Sequence, residues 1–252
     1  MKSKRALFLI LVLVTSTLAT QAISLAHAQA GAVTLNPKDN TYVDSLNPDL
    51  NYGGQNYLEI SNWNFLSDTY EDIVWLKFDL STVPDGAVVD MATLQLYTSM
   101  VDETFNVHAY SCSNNSWTEL TLTYSNMPSY NTTSMDSVPV ATNNQWYNWS
   151  VVDAVRNALN NNPKSVTIVM QEPTRHSSST SVWFTSKESS TDYVPKLTIH
   201  WKSVMPGFPT FLAGALLVSL FIIIILVASI YYRKKHISQS NQRSRDKRTY
   251  VK

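Results

Sequence analysis

Residues 76–97 read LKFDLSTVPDGAVVDMATLQLY. Leu76, Phe78 and Leu80 alternate with Lys77 and Asp79, and Ala92, Leu94 and Leu96 alternate with Thr93, Gln95 and Tyr97. A period of two is the mark of a strand with one buried face, and no helical period competes with it here. Between the runs stands Pro84-Asp85-Gly86, where Pro presets φ and Gly accepts a positive one. The stretch predicts strand, turn, strand.

The same signal recurs in YLEIS (57–61), FNVHAY (105–110), WYNWSV (146–151), SVTIVM (165–170), SVWFTSK (181–187) and KLTIHW (196–201). One short helical pattern interrupts it. Val152, Val155 and Leu159 recur at three to four residues, and Asn160-Asn161-Asn162-Pro163 stops them. Eight or so short strands and one helical turn predict an all-β domain, an antiparallel β-sandwich of the jelly-roll type. Strand parity assigns Val74, Leu76, Phe78, Leu94, Leu96, Leu197 and Ile199 to its core.

The ends of the chain have other purposes. Lys2, Lys4 and Arg5 precede the apolar run Ala6–Val14, and Ala26-His27-Ala28 has the pattern of a cleavage site, so residues 1–28 read as a secretory signal peptide. Residues 211–232, FLAGALLVSLFIIIILVASIYY, hold no charge and are long enough for a transmembrane helix. A short linker, 204–210, would join it to the β-domain at 29–203. The tail, 233–252, holds eight Lys or Arg against Asp246 alone, net +7, while Gln29–Lys202 holds eight against eighteen Asp or Glu, net −10. The formal net charge of zero conceals this asymmetry. Positive-inside bias then predicts a single-pass type I protein of the cell membrane, tail inside and β-domain outside. The tail's charges are scattered among Ser, Gln and Asn from the membrane boundary onward, which suits a stop-transfer flank and anionic lipid, not nucleic acid. Pro206-Gly207-Phe208 before an apolar segment resembles an archaeal sorting signal, which offers processing by an archaeosortase-like enzyme as the alternative to a retained helix.

Cys112 is the only cysteine, so no intrachain disulfide forms and stability must come from buried apolar area. An exterior domain without disulfides points to a prokaryotic cell surface. No H-E-x-x-H, G-x-S-x-G or C-x-x-C occurs, and His108, His176 and His200 are scattered, so no enzyme activity is expected. Asp39, Asp44 and Asp49, with Asn47 and Asn51, crowd one early loop; such hard oxygen ligands suit Ca2+, the one cofactor considered, and also cap turns without metal.

Five blocks, in order, carry a family resemblance: TYVDSLNPDLNYG (41–53), KFDLSTVPDGAVVDMATLQLY (77–97), SWTELTLTYSNMPS (116–129), WYNWSV (146–151) and FTSKESSTDYVPKLTIHW (184–201). Together they resemble the DNRLRE domain family, also classed as carbohydrate-binding module family 96, over about residues 36–201. The resemblance implies a β-sandwich of jelly-roll type, and some members bind polysaccharides, including acidic ones. Two departures stand out. Lys187 replaces the closing arginine and its bidentate fork. Ser150-Val151-Val152 replaces the usual Asp-Val-Thr, so the role of that aspartate is lost or moved to Asp153.

Aromatic residues are the functional lead, since a flat ring stacks on the C–H face of a sugar while nearby polar groups fix its hydroxyls. Parity turns Trp75 with Lys77, Tyr97 with Gln95, and Trp183 with Lys187 away from the core, and if these strands are neighbours they form an aromatic and basic patch. Lys187 and Glu188, as adjacent strand residues, would face opposite ways, with Glu188 partly buried and bracing the final loop and Lys187 outside. Three N-glycosylation acceptors are present at Asn114, Asn131 and Asn148. The expected function is glycan binding at the cell surface, with cell-envelope or environmental polysaccharide as partner. The rival is a structural or adhesive surface module without a specific ligand.

Overall fold

The computed structural model describes residues 29–65, 68–189, 192–203 and 223–240. Residues 28–204 form one compact unit, and the remainder of the chain belongs to another. The expected signal peptide, the expected linker with residues 206–208, and the first half of the expected membrane segment, 211–222, lie outside the described residues. Residues 223–240 are helical. Among the described residues no helix is both long and apolar enough to cross a membrane.

The 28–204 unit is all-β and antiparallel, as expected, with eleven strands among its described residues: β1 (Gln29–Leu35), β2 (Asp39–Asp44), β3 (Tyr57–Phe65), β4 (Asp68–Asp79), β5 (Ala87–Val101), β6 (Phe105–Cys112), β7 (Asp136–Val140), β8 (Trp146–Ser150), β9 (Ser165–Gln171), β10 (Ser181–Thr185) and β11 (Lys196–Ser203). One helix, α1 (Val152–Ala158), follows β8 where the helical pattern predicts it, and a 3-10 turn spans Tyr124–Asn126. Hydrogen bonds link the strands into one curled sheet in the order β1-β11-β5-β10-β3-β4-β9-β6-β7, with β2 added to β4 and β8 to β5.

The quoted stretch is the hub of this sheet. Gly86 has φ +73 and Ala87 N–H donates to the Pro84 carbonyl at 3.2 Å, so the turn forms as read. It releases β5, whose 15 residues are long enough to serve several neighbours. Gln95 pairs with Lys196 of β11 on one side and Asn148 of β8 on the other. Farther along, Phe184 of β10 pairs with Thr98, while Thr98 N–H donates to Gln145 O on the β8 side. β10 therefore continues the edge that β11 begins.

All seven residues assigned to the core by parity are fully buried. They belong to one large cluster that also takes in Leu58 and Ile60 of β3, Val182 and Phe184 of β10, and Tyr147 and Trp149 of β8. Trp149 satisfies its indole N–H on Val107 O at 2.7 Å. A second, smaller cluster lies on the opposite face of β4. There Ile73, Trp75 and Val43 pack with Tyr110, Trp117, Leu122 and Val169. Trp117 and Leu122 come from the connection between β6 and β7, which lies over this face as a cover.

Gly53 shows how closely that cover is fitted. A Cβ at Gly53 would overlap the backbone carbonyl of Glu119, which a flexible side chain could not relieve. Gly53→Ala is expected to cost about 1–3 kcal/mol, as overpacking does. Urea unfolding measures it, and an unchanged midpoint would show that the cover is loose.

Candidate functional site

Residues Trp75 and Lys77 point away from the main core, as parity demands, yet they are not on the surface. Trp75 is fully buried in the second cluster, edge-on to Trp117 at 6.0 Å and to Tyr130 at 5.7 Å. Lys77 is 5% exposed. Its ammonium pairs with Asp39 at 2.8 Å, donates to the Trp117 carbonyl and lies 4.7 Å from the Trp117 ring centre. A buried cation needs such partners, and here β2 supplies the carboxylate while the loop that hides Lys77 supplies the carbonyl and the ring.

Lys187 is held in the same way. It lies in a turn after β10, so strand alternation does not apply, and its Nζ is 2.7 Å from both Glu119 and Glu188. Glu188 braces the loop, accepting from Asn40 Nδ2 at 2.7 Å and Ser186 Oγ at 2.6 Å. Burial pushes the Glu188 carboxyl up, but the hydrogen bonds from Lys187, Ser186 and Asn40 outweigh it and hold it below the ordinary range. For Lys187, burial works downward, and the bonds to Glu119 and Glu188 still raise it. The bracing of Glu188 is as expected, and the outward Lys187 is not: both basic members of the expected patch are structural.

Tyr97 and Trp183 do remain half-exposed, and other rings join them. Tyr97 stacks on Tyr193 at 4.1 Å and 17°, and Trp146 meets Tyr97 edge-on at 5.4 Å. Lys196 Nζ lies 4.9 Å from the Trp146 ring centre. Trp183 stacks on Tyr57 at 4.4 Å and 15°. Register explains the grouping. Trp146 is opposite Tyr97 on β8 and β5, and β10 sets Trp183 opposite Glu59 and Thr185 opposite Tyr57 of β3. Each ring alternates with core residues of its own strand, so Trp146, Tyr97, Trp183 and Tyr57 form a row on one face across four neighbouring strands, in which Trp183, opposite Met100 of β5 and two residues along β10 from Thr185, leans back to stack on Tyr57. Tyr57 also packs on core Tyr42, at 5.7 Å between ring centres, and accepts a hydrogen bond from its hydroxyl at 3.2 Å.

Carboxylates border the β3 end of this row. Ser61 is opposite both Ser181 and Asp72, and its hydroxyl donates to Asp72. Burial pushes the Asp72 carboxyl up to about 8; the Ser61 hydrogen bond resists, and the charges of Glu59, Asp44 and Glu71 add to the rise. Glu59 is raised too, by burial first and by Asp44 and Asp102 next. Farther along β3, Trp63 stacks on Tyr70 at 4.0 Å.

The Asp residues considered for Ca2+ are used otherwise. Asp39 holds Lys77, Asp44 accepts from Tyr52 OH, Asn47 Nδ2 and Leu46 N–H, and Asp49 is exposed. Asn51 ties its loop to the Glu119 and Leu122 carbonyls. Among the described residues no three His, Cys, Asp or Glu side chains are grouped as a metal ion would need. Asn114, Asn131 and Asn148 are all exposed; the first two lie in the cover between β6 and β7, and Asn148 is on β8, accepting from Gln95 Nε2 at 3.0 Å.

Of the rings in the row and Tyr193 beside it, Tyr97 and Trp183 follow from parity, whereas Trp146, Tyr57 and Tyr193 do not. Trp146 and Tyr57 carried the same alternating signal in WYNWSV and YLEIS, and pairing the strands was what was missing. Tyr193 precedes β11 in a turn, where no periodicity marks it.

An all-β scaffold with half-exposed rings and hydrogen-bonding side chains on one sheet face is the architecture of a carbohydrate-binding module. The chain belongs to carbohydrate-binding module family 96, whose family model matches residues 31–201. No curated protein matches it.

Proposed function

We propose that the chain is a non-catalytic surface protein whose β-domain binds neutral glycans through the row Trp146, Tyr97, Trp183 and Tyr57. The single observation that carries this reading is the gathering of these rings on one face, in a chain of a carbohydrate-binding family. Their polar surroundings, Gln95, Asn148, Thr185 and Glu59, suit sugar hydroxyls. An acidic polysaccharide is disfavoured twice. The domain's net charge of −10 repels polyanions, and the lysines that would have attracted them, Lys77 and Lys187, are engaged with Asp39, Glu119 and Glu188.

The protein is anchored through residues 211–232, domain outside and basic tail inside. The charge asymmetry supports this, as do the exposed apolar side chains Ile224, Ile225, Leu226 and Ile230 on the helical part of that segment. The jelly-roll arrangement is retained as the reading of the curled sheet, because strands from both ends of the sheet fill one common core.

A polysaccharide array at low and moderate salt tests the function. Neutral glycans should be retained with little salt dependence, and Trp183→Ala or Tyr97→Ala should abolish retention in proteins that still unfold cooperatively. Retention of polyanions alone, weakening as salt rises, would overturn the neutral-ligand reading. No retention at all would leave the structural surface module as the better account.

A further inference from the structure

The row of rings has a length, and the length bears on what it recognises. Trp146, Tyr97, Trp183 and Tyr57 sit on β8, β5, β10 and β3, four strands in succession. Adjacent strands lie about 4.8 Å apart, so the row covers about 14 Å. One pyranose unit in a chain advances by about one strand spacing, which matches the row to about four linked sugars. The charges along it are sparse and opposed, with Lys196 over Trp146 at one end and Glu59 opposite Trp183 at the other. A polymer of uniform charge would meet a repulsive end whichever way it lay, and an uncharged one would not.

We infer that the site measures a chain: it takes a run of about four linked neutral sugars laid across the strands, not one sugar held at one ring. This rests on the glycan-binding reading above. Trp146, Tyr97 and the stacked Trp183–Tyr57 pair offer contacts at successive points along this line, with Thr185 between the last two, so affinity accumulates with every sugar that reaches a further strand and stops growing once the row is covered.

Calorimetric titration of the purified protein with cello-, manno- and xylo-oligosaccharides of one to eight units tests this, with the array polysaccharides as reference. In the series that binds, affinity should rise at least tenfold from disaccharide to tetrasaccharide and level off by about the hexasaccharide. Trp146→Ala, at one end of the row, should lower the length at which the plateau begins, an effect that general destabilisation would not produce. A monosaccharide bound as tightly as a tetrasaccharide would overturn the inference and leave the glycan-binding reading intact. So would affinity that still climbs at eight units. If no polysaccharide is retained in the first place, the reading itself fails and the inference falls with it.

Discussion

Trp75→Ala is expected to lower folding stability by about 3–5 kcal/mol, the usual cost of deleting a buried aromatic side chain, while leaving sugar affinity per folded molecule unchanged. Trp75 is fully buried between Ile73, Val43, Trp117 and Tyr130, and its removal would empty the centre of the second cluster. The cover would lose the surface it packs on, and with it the Trp117 carbonyl that Lys77 uses. Trp75→Phe should recover much of the loss, because the indole Nε1 has no hydrogen-bond partner among the described residues. Urea unfolding followed by Trp fluorescence, with calorimetric titration of the folded fraction, measures both quantities. A stable Trp75→Ala protein that no longer binds sugar would instead place Trp75 at the glycan.

A second large effect concerns Asp72. Its carboxyl is pushed from an ordinary 3.8 up to about 8 in the fold, by burial and by the neighbouring charges of Glu59, Asp44 and Glu71. A group whose folded value is raised contributes stability that is fully present below the unfolded value and is lost as pH rises through the folded value. The domain should therefore lose stability between about pH 4 and pH 8 on account of this residue. At about 1.4 kcal/mol for each unit of displacement, the change amounts to a few kcal/mol. Asp72→Asn keeps an acceptor for the Ser61 hydroxyl and has nothing to ionise, so it should flatten that slope and exceed the parent in stability at pH 9. Melting temperatures of the two proteins across pH 4–9 decide the matter. Parallel curves would mean that Asp72 ionises in the fold as readily as in water.

The acidic border bears on the glycan as well. Glu59 carries the same sign of shift and stands opposite Trp183, and Asp72 behind it is pushed up to about 8, so near neutral pH this border holds less negative charge than its count of carboxylates suggests on account of Asp72. That suits a ligand bound through hydroxyl groups.

Much of the fold follows from local pattern. The alternation around Pro84-Asp85-Gly86, the six further runs and the Val152–Leu159 period correspond to β4, β5, β3, β6, β8, β9, β10, β11 and α1. The three remaining strands lack that pattern, each for a different reason. β2 is buried over Asn40–Val43 on both faces, so its Asp and Asn residues read as a polar loop. β7 contains Pro139 and lies at an edge, paired with β6 alone among the described residues. β1 follows directly on the expected signal-peptide cleavage site.

What the amino-acid sequence determines by itself is which way each side chain faces its own strand, because the two-residue alternation is a property of the extended backbone alone. By that rule Trp75, Tyr97 and Trp183 all turn from the core, and they do. Whether an outward side chain meets water is a different matter, decided by segments distant in sequence. The connection between β6 and β7 closes over Trp75 and Lys77, and the turn at 186–189 brings Lys187 against Glu119, a residue 68 positions away. Only the tertiary structure set β8, β5, β10 and β3 side by side and gathered their rings into a row, since strand order depends on which buried faces fit together and not on the period of any one strand.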